Sequence, residues 1–599
     1  MRWIPNDSIE IKILDEQEKE TKEKCILKTS RIKGNSVKVA FEPQWVSQKA
    51  ARAMEIKFSI PISGIAGFWT PFRSSGFENQ NFIKWNHQFT ASPQMVFPVI
   101  AFVDRELGHK GFIACLRHEE IIAFDLALSQ CDEKYVLKIR YPAVGYLPVA
   151  DWCDLSFYLS GPGAGKAKIF NAIREFMVYY DKINPPVPKK EIPASAYQPV
   201  YCTWYAVHGS PTAAWAEKTA ELAAELGFKN FIMDDGWQYE KLQRIDANAK
   251  EWFAQIDDWR PAKNKFPDFK AHVQKIRAAG LKYILWWNPY AVGRRSKTFP
   301  KYRALTANKV KEMGCYYYCA QDRRVLKLVA RTALRLVRDY QVDGFKVDYL
   351  YGLAEKNCVN EKHEHFSAKV GAGMVAGMTK VYRDIKKIRP DFDMCHCGGP
   401  VMHSFASSLR GADVPFDPDT NLYFLIYLRC FSSYLPLQSD PLFWPKNASC
   451  EEINRHFIVA MFAVPSVSVD LLSLPDKVKR LIKNWLAFYS AYSRVLCFGK
   501  LQVENCGPLI SALTSRENGI AITAVFRQLP VTLEKCREHI FLNATSQARI
   551  LVWIKERRVM LKTQVFDAEF CPVDKKNQLA AGINEVAVPA GGRIVITAE

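Results

Sequence analysis

The sequence predicts a multidomain α/β protein, in which a central (β/α)8 TIM barrel lies between an N-terminal β-sandwich and a C-terminal β-domain. At 599 residues the chain is longer than one hydrophobic core usually supports. Both of its ends carry short segments rich in β-branched and aromatic residues, separated by turn residues. Its middle alternates strand-like and helix-like segments, which is typical of a parallel sheet. We therefore place the three domains at residues 1–185, 190–495 and 496–599.

The N-terminal part contains five strand candidates, at 37–41, 55–60, 95–102, 119–127 and 135–141. Such short strands, each followed by turn residues, are typical of a sandwich. A proline-rich stretch follows, NPPVPKK at 184–190, and it reads as an inter-domain linker.

The middle of the chain contains eight strand candidates, at 200–205, 230–234, 283–287, 344–349, 392–397, 408–412, 434–438 and 466–469. Helix-like segments at 213–226, 269–279, 325–340 and 366–388 lie between them. Eight strand-helix units favour closure into a barrel. Further short strands, at 509–513, 520–526, 549–552 and 593–597, predict the C-terminal β-domain.

Composition argues against several classes of protein. The formal net charge is +20, from 82 Lys and Arg against 62 Asp and Glu, but the basic pairs lie far apart along the chain. Because there is no long basic run, we expect no nucleic-acid partner. The longest apolar runs are too short to span a bilayer. The start lacks the apolar region of a signal peptide, and the 16 cysteines read as reduced thiols, so we expect a cytoplasmic protein with no membrane partner.

Polar side chains follow the predicted barrel strands, where catalytic groups of such barrels project. Five successive segments carry carboxylate, amide, Lys, His or Trp side chains near their ends: FIMDDGW at 231–237, ILWWNP at 284–289, GFKVDY at 344–349, MCHCGG at 394–399 and LRGAD at 409–413. A single aspartate after a strand is often no more than a helix cap. Five in succession predict one site lined by carboxylates and aromatic rings.

These segments resemble glycoside hydrolase family 36, the α-galactosidases and the related raffinose synthases. The resemblance covers about 197–420 and rests on YCTWY at 201–205, DDGW at 234–237, DWR at 258–260, KFP at 265–267 and KVD at 346–348. It implies a retaining α-glycosidase with Asp348 as nucleophile and Asp413 as general acid/base. It also implies that Asp234 and Asp235 bind hydroxyls of the terminal sugar, and that Lys346 and Trp204 contact the sugar.

The chemistry of a retaining glycosidase fits these roles. It needs two carboxyl groups roughly 5 to 5.5 Å apart, one ionised to attack the anomeric carbon and one protonated to donate to the leaving oxygen. Lys346 lies two residues before Asp348, so both side chains face the same way on a strand and the ammonium would hold Asp348 ionised. Asp413 would need a raised pKa. Arg410 opposes that if it points inward, and Asp417 and Asp419 are rivals for the acid role.

The remaining candidates line the predicted pocket. Trp237, Trp286 and Trp287 could form apolar platforms for sugar rings, although Trp286 and Trp287 cannot both face the lumen because strand neighbours alternate, so one of the two is expected to be a packing residue. The spacing of Cys395, His396 and Cys397 is not that of a usual zinc site, so we read the cysteines as thiols lining the strand and expect no metal and no cofactor.

Three positions depart from the family pattern. Val347 stands where many members have Trp, Asn288 where a Glu is common, and Pro400 where Arg is common. The exact sugar is therefore open. Three readings remain: a hydrolase of terminal α-linked hexose, a transferase that uses a sugar hydroxyl in place of water, and a non-catalytic sugar-binding protein. We expect a carbohydrate substrate, and a homo-oligomer is left open.

Overall fold

The computed structural model describes most of the barrel and of the two flanking β-rich parts. The described residues are 4, 8–14, 17, 19–20, 22, 24–33, 36–44, 53–70, 86–91, 97–106, 108–116, 122–129, 133–142, 156–161, 168–238, 252–310, 313–350, 358, 360–367, 369–397, 404–411, 418–507, 509–555, 561–573 and 579–598.

The N-terminal part forms two antiparallel sheets. Its strands are β1 (Ile9–Leu14), β2 (Lys24–Lys33), β3 (Ser36–Gln44), β4 (Ala53–Pro61), β5 (Gly67–Trp69), β6 (Asn86–Ala91), β7 (Val99–Val103), β8 (His109–Cys115), β9 (Ile122–Ser129), β10 (Lys134–Pro142) and β11 (Ser156–Ser160). One sheet has the order β1-β4-β10-β9-β6 and the other β2-β3-β11-β8-β7-β5. Phe58 of the first sheet packs edge-on against Phe157 of the second, with ring centroids 5.9 Å apart. Apolar side chains from both sheets thus share one core, as in a sandwich.

Helix α1 (Ile169–Ile183) leads into the barrel region. The strands of that region are β12 (Val200–Cys202), β13 (Asn230–Met233), β14 (Lys282–Trp287), β15 (Ala291–Gly293), β16 (Thr306–Val310), β17 (Cys315–Tyr318), β18 (Gly344–Val347), β19 (Asp393–Cys397), β20 (Ser408–Arg410), β21 (Leu437–Gln438) and β22 (Ser466–Val467). The helices are α2 (Trp204–Val207), α3 (Ala213–Leu226), α4 (Phe269–Ala278), α5 (Phe299–Tyr302), α6 (Arg323–Tyr340), α7 (Val370–Ile388), α8 (Pro418–Phe431), α9 (Cys450–Ala460) and α10 (Asp476–Phe498).

Eight of these strands form the predicted barrel, and all of them pair in parallel. Their order is β21-β20-β19-β18-β14-β13-β12-β22. The two end strands meet through backbone hydrogen bonds, from Val464 N to Leu437 O at 2.7 Å and from Leu442 N to Ser466 O at 2.7 Å. The barrel is therefore closed, and the sequence-based prediction of a (β/α)8 fold is confirmed.

Local capping sets where several of the helices begin and end. The side chain of Thr212 accepts a hydrogen bond from Trp215 N at the start of α3, and Gly227 ends that helix with φ +107°. Asp268 and Asp322 accept backbone hydrogen bonds in the same way at the starts of α4 and α6. These caps fix the helices that return the chain to the next strand of the barrel.

A small antiparallel sheet, β15-β17-β16, projects between β14 and α6. It is absent from the sequence-based prediction. Tyr317 on β17 donates its hydroxyl to the carbonyl oxygen of Tyr349 at 2.9 Å, which places the sheet against the segment that follows β18.

The C-terminal part is again β-rich, as predicted. Its strands are β23 (Lys500–Cys506), β24 (Leu509–Glu517), β25 (Ile520–Val525), β26 (Val531–Thr532), β27 (Glu538–Asn543), β28 (Arg549–Ile554), β29 (Leu561–Phe566), β30 (Pro572–Val573), β31 (Gly582–Ala587) and β32 (Arg593–Ala598). They form one sheet of order β23-β24-β25-β27-β32-β29-β30 and a second of order β26-β28-β31.

Both flanking parts pack directly on the barrel helices. In the N-terminal part, Phe97 stacks on Phe431 of α8 with ring centroids 5.0 Å apart. In the C-terminal part, Phe570 packs edge-on against Trp485 of α10 at 4.9 Å. Within the described residues, none of the helices has the length and apolar character that crossing a membrane would require.

Candidate active site

The carboxyl ends of the barrel strands bring the predicted site residues to one end of the lumen. Trp286 on β14 is in register with Lys346 on β18, which is in register with Cys395 on β19. Cys397 is in register with Arg410 on β20. Since residues paired in register project to the same face of a sheet, these side chains share the inner face of the barrel.

Asp348 follows β18 directly and its carboxylate is held on both oxygens. Trp286 Nε1 donates to Asp348 Oδ2 at 3.1 Å, and Lys346 Nζ lies 3.4 Å from the same oxygen. Tyr349 N donates to Asp348 Oδ1 at 2.8 Å. Tyr349 itself has φ +55°, so the chain turns sharply out of the strand at this point. The carboxylate is thus fixed in direction, while 7% of the residue remains exposed.

Lys346 also bridges to a second carboxylate. Its Nζ lies 2.8 Å from Asp234 Oδ2, and both side chains are buried. Burial alone would raise the pKa of Asp234, but the cations of Lys346 and Arg410 outweigh it and hold that pKa below its usual value. Burial and Arg410 act to lower the pKa of Lys346, but the carboxylates of Asp234 and Asp348 outweigh both and hold it well above its usual value. The pair is therefore a buried ion pair at neutral pH.

Arg410 points into the barrel. Its two terminal nitrogens each lie 3.7 Å from Cys202 Sγ, on the opposite side of the lumen. Cys202 in turn donates its thiol to Asp234 Oδ2 at 3.1 Å. Burial, with a further contribution from Asp234, raises the pKa of this thiol to about 12, so it is a neutral donor. Arg410 and Lys346 thus supply two positive charges opposite the carboxylates of Asp234 and Asp348.

Asp235 faces an aromatic wall beside this charged cluster. Its Oδ2 accepts a hydrogen bond from Trp252 Nε1 at 2.7 Å, and its Oδ1 accepts one from Gln238 Nε2 at 2.8 Å. Despite these bonds, burial raises the pKa of Asp235 to about 6. Trp252 stacks on Trp204, with ring centroids 5.4 Å apart and planes within 6°. Asp235 therefore fixes one ring of a stacked indole pair at the mouth of the barrel.

Gly236, the residue after Asp235, allows the backbone to turn sharply at this point. Gly236 has φ +104°, and a Cβ there would lie 2.5 Å from the backbone of Gly209. A side chain at 236 would be strained and would clash, so glycine is required for Asp235 to project as it does.

Three predicted candidates occupy packing positions in the structure. Trp237 donates its indole N–H to the carbonyl oxygen of Trp286 at 3.1 Å and stacks on Phe269 of α4. Asn288 is fully buried; its Oδ1 accepts hydrogen bonds from the backbone of Tyr290 and Ala291. Trp287 is in register with Val347 and so faces away from the lumen, toward the helices. Of the two neighbouring tryptophans, Trp286 is the one that lines the barrel.

The Cys395-His396-Cys397 segment alternates between two faces. Cys395 and Cys397 share the inner face with Lys346 and Arg410, whereas His396 is in register with Val347 and packs edge-on against Phe405. Burial raises the pKa of Cys395 to about 12 and lowers that of His396 to about 4, so both are neutral near pH 7. Their opposite directions prevent the three side chains from forming one ligand set.

Asp413, the predicted general acid/base, and its rival Asp417 lie outside the described residues, and so does Pro400. The other rival, Asp419, lies in the first turn of α8 and pairs with Arg455 at 2.9 Å and with Arg527 at 3.8 Å. Its carboxylate is thus engaged with two cations between α8, α9 and the C-terminal part.

Two residues of the site, Cys202 and Trp252, have no role in the sequence-based prediction. Cys202 sits in the segment 201–205 that carries the family resemblance, and its position at the end of a strand could have indicated a lumen residue. Trp252 comes from the long segment after β13, where no periodicity connects it to Trp204 or to Asp235. It was not predictable from local sequence.

Comparison with known proteins finds relatives in sequence and in fold. Residues 188–404 match the family model described as Melibiase. The α-galactosidase C of Emericella nidulans is 28% identical over 227 residues, which cover 35% of this chain and 28% of that protein. The chain therefore matches less than a third of the length of this curated relative.

Two solved structures show the same fold. An α-galactosidase from Lactobacillus brevis aligns with a TM-score of 0.63 and 12% identity over 98% of this chain and 87% of its own. A variant family 36 α-galactosidase from Geobacillus stearothermophilus, solved with raffinose, aligns with a TM-score of 0.60 and 11% identity over 98% of this chain and 89% of its own. Over residues 188–404 of its barrel, this chain is thus similar to the melibiase family, and its overall fold is that of solved α-galactosidase structures.

Proposed function

We propose that this protein is a retaining exo-acting α-glycosidase that hydrolyses a terminal α-linked hexose, with galactose as the first candidate. The observation that carries the proposal is the carboxylate of Asp348. It lies at the end of the barrel lumen, is oriented by Trp286 and Lys346, and keeps some exposure to the mouth of the barrel. A nucleophile of a double-displacement reaction needs this combination of fixed direction and access.

The surrounding groups are suited to bind a single terminal sugar. Asp234 and Lys346 present charged hydrogen-bonding groups within 2.8 Å of each other in a buried position, where a sugar hydroxyl can exchange bonds with both. The stacked rings of Trp204 and Trp252 offer an apolar face, which suits the C–H face of a pyranose. Such a closed, polar end to the lumen favours attack at a chain end rather than in the middle of a polymer.

In the first step, an Asp348 oxygen attacks the anomeric carbon while the bond from that carbon to the leaving oxygen breaks. Asp413, in its protonated form, gives its proton to the leaving oxygen, and a glycosyl ester on Asp348 remains. Asp413 is proposed for this role from the family resemblance, since it comes three residues after the inward-pointing Arg410.

In the second step, Asp413 removes a proton from water, and the water oxygen attacks the anomeric carbon. The ester bond to Asp348 breaks, and the sugar leaves with its original α configuration. The relative from Geobacillus stearothermophilus was solved with raffinose, which supports an α-galactosyl oligosaccharide as the first natural substrate to assay.

The first experiment is hydrolysis of a panel of 4-nitrophenyl α- and β-glycosides by the wild type and by Asp348→Ala. We expect turnover of an α-glycoside, α-galactoside first, that Asp348→Ala abolishes. Asp339→Asn is the matched control, because Asp339 is an exposed aspartate on α6, and it should keep wild-type rates. Wild-type turnover in Asp348→Ala would refute the assignment of the nucleophile.

Azide rescue then separates the two carboxylates. In Asp348→Ala, azide enters the space left by the carboxylate and attacks once, which should yield the β-glycosyl azide. In Asp413→Ala, the glycosyl ester still forms from an activated substrate and azide attacks it, which should yield the α-glycosyl azide. If no glycoside of the panel reacts, release of sugar from raffinose with and without an added sugar acceptor distinguishes a transferase from a binding protein.

A further inference from the structure

Four potential metal ligands converge away from the barrel lumen. They are Cys319, Cys358, His363 and His365, and one ligand atom from each lies within 4.8 Å of every other. Cys358 Sγ lies 3.2 Å from His363 Nδ1, and Cys319 Sγ lies 3.4 Å from His365 Nε2. Both cysteines are free thiols. We propose that this cluster is a structural zinc site that joins two loops at the mouth of the barrel.

The separations match the geometry of a tetrahedral zinc centre. With bonds of about 2.3 Å to sulfur and about 2.0 Å to nitrogen, a tetrahedral ion holds a sulfur and a nitrogen ligand roughly 3.5 Å apart. Two of the sulfur-to-nitrogen distances in the cluster are 3.2 and 3.4 Å, and all four ligand atoms lie within 4.8 Å of one another. Small shifts of the side chains therefore suffice to place all four atoms around one ion.

The chemical types of the four ligands also favour zinc over other metal ions. Two thiolates and two imidazoles form the Cys₂His₂ combination that zinc prefers, and they contain none of the carboxylate or carbonyl oxygens that suit calcium or magnesium. Four protein ligands fill the tetrahedral shell, which is typical of structural rather than catalytic zinc. His365 is exposed while Cys319 and His363 are buried, so an ion can enter from the His365 side.

One ligand is already oriented by a second hydrogen bond. His363 Nε2 lies 2.8 Å from the carbonyl oxygen of Ala304, so this nitrogen carries the proton and donates it. The lone pair of the ring is then on Nδ1, the atom that faces Cys358 Sγ. A backbone carbonyl that fixes the tautomer of a histidine ligand in this way is the usual companion of protein zinc sites.

The backbone around the cluster is held by bonds between the two loops. Cys358 N donates to Gln321 Oε1 at 2.8 Å, and Gln321 Nε2 donates to the carbonyl oxygen of Ser367 at 3.1 Å. Asp322 Oδ2 accepts a hydrogen bond from Glu364 N at 3.1 Å. These hydrogen bonds hold the backbone that carries the ligands without a bound ion, as a preorganised site requires.

The position of the cluster gives it a role. Cys319 directly follows β17 of the small sheet, and the other three ligands lie in the segment between β18 and α7. That segment begins with Asp348, and Tyr317 on β17 already contacts Tyr349. A zinc ion here would link the β15-β17-β16 sheet to the segment that follows Asp348, the proposed nucleophile.

The experiment is a measurement of metal content on the full-length protein, purified with a reducing agent and dialysed against a buffer containing trace zinc. We expect one zinc per chain in the wild type. His365→Ala, which alters an exposed ligand and should fold, and Cys358→Ser should each weaken zinc binding by more than about 100-fold, beyond the loss typical of an outer-shell change. Cys506→Ser and Cys571→Ser, at exposed cysteines outside the cluster, are matched controls and should retain zinc.

Two further readouts keep the test independent of glycosidase activity. Cobalt added to the zinc-free wild type should give the thiolate-to-cobalt charge-transfer band of a tetrahedral site, and the band should be lost in Cys358→Ser. A chelator should lower the melting temperature of the wild type and leave that of Cys358→Ser unchanged. Equal zinc content in the wild type and in both ligand variants would overturn the proposal, as would a Cys319–Cys358 disulfide found by mass spectrometry of the purified protein.

Discussion

Trp286 donates its indole N–H to Asp348 Oδ2 at 3.1 Å, from the strand next to the one that Asp348 follows. The backbone of Trp286 is held in turn, since Trp237 Nε1 donates to its carbonyl oxygen. A fixed neutral donor on this oxygen orients the carboxylate for attack. It also stabilises the negative charge that returns to Asp348 when the glycosyl ester breaks.

Replacing this donor should slow the second half of the reaction. We expect Trp286→Phe, which keeps an aromatic ring and removes the N–H, to lower kcat on a 4-nitrophenyl glycoside by ~10–100-fold. A hydrogen bond to a charged group contributes about 1.5–3 kcal/mol, which corresponds to that range of rates. Single-turnover kinetics should show that breakdown of the glycosyl ester is slowed more than its formation.

Trp215→Phe provides the comparison for the same change of side chain. Trp215 lies on α3, and its indole N–H is 3.4 Å from Asp470, away from Asp348. This variant should retain the wild-type kcat. A kcat for Trp286→Phe within twofold of the wild type would show that the hydrogen bond has no part in catalysis.

The Lys346–Asp234 ion pair predicts a coupled effect on stability. Lys346→Met leaves the carboxylate of Asp234 buried without its closest cation, and breaking such a pair typically costs about 3–5 kcal/mol. Adding Asp234→Asn removes the stranded charge, so the double variant should be more stable than Lys346→Met alone. Urea unfolding of the wild type, both single variants and the double variant gives the coupling energy. Additive losses would mean that the two groups do not interact in the folded state.

Much of the barrel could be predicted because its strands can be recognised from the order of apolar and polar residues in short segments. The segments at 230–234, 283–287 and 344–349 are short and mostly apolar and end in or next to polar residues, and the structure has a strand at all three. The helix predicted at 213–226 has the bounds of α3, since Thr212 and Gly227 mark its ends in the sequence. Because neighbouring residues on a strand point to opposite faces, the sequence also predicted that only one of Trp286 and Trp287 lines the lumen.

The contacts that complete the site were not predictable in the same way. Trp252 reaches Trp204 and Asp235 from a segment without regular periodicity, and the two residues that it contacts follow different strands, β12 and β13. The cluster joins Cys319 to Cys358, which is 39 residues further along the chain, so no short sequence motif contains all of its ligands. Such contacts depend on how the loops fold over the barrel, which local patterns do not specify.

Asp235 predicts the acid limb of the pH profile. Burial raises the pKa of its carboxyl to about 6, so it is ionised above that pH and protonated below it. Protonation weakens the hydrogen bonds that Trp252 and Gln238 donate to it. The Trp252 ring, which stacks on Trp204, is then held less firmly beside the proposed sugar site. We expect kcat/KM for a 4-nitrophenyl glycoside to fall as the pH drops through about 6.

Asp235→Asn tests that assignment, because the amide does not ionise. Its kcat/KM should be lower than that of the wild type at neutral pH, and the limb near pH 6 should be lost. Asp258→Asn is a suitable comparison, since Asp258 caps the backbone of Lys297 and Thr298 outside the lumen. A limb of unchanged midpoint in Asp235→Asn would assign it to another group.

Asp257 predicts a pH dependence of stability that is separate from catalysis. It accepts hydrogen bonds from the hydroxyl of Tyr318 at 2.5 Å, from Thr298 Oγ1 at 2.8 Å and from Trp259 Nε1 at 2.8 Å. Burial outweighs these bonds and raises the pKa of Asp257 to about 7. An aspartate in an unfolded chain has a pKa of about 3.9. The folded state therefore binds the proton more tightly than the unfolded state.

Linkage fixes the sign of the effect. Between about pH 4 and pH 7 the folded protein holds a proton on Asp257 that the unfolded chain has released, so the free energy of unfolding falls as the pH rises through this window. Asp257→Asn removes the titration, and its free energy of unfolding should fall less than that of the wild type between those two pH values. Urea unfolding at both ends of the window measures the difference, with Asp339→Asn as the exposed control. Equal falls in the wild type and in Asp257→Asn would show that Asp257 is already ionised in the folded protein at the lower pH.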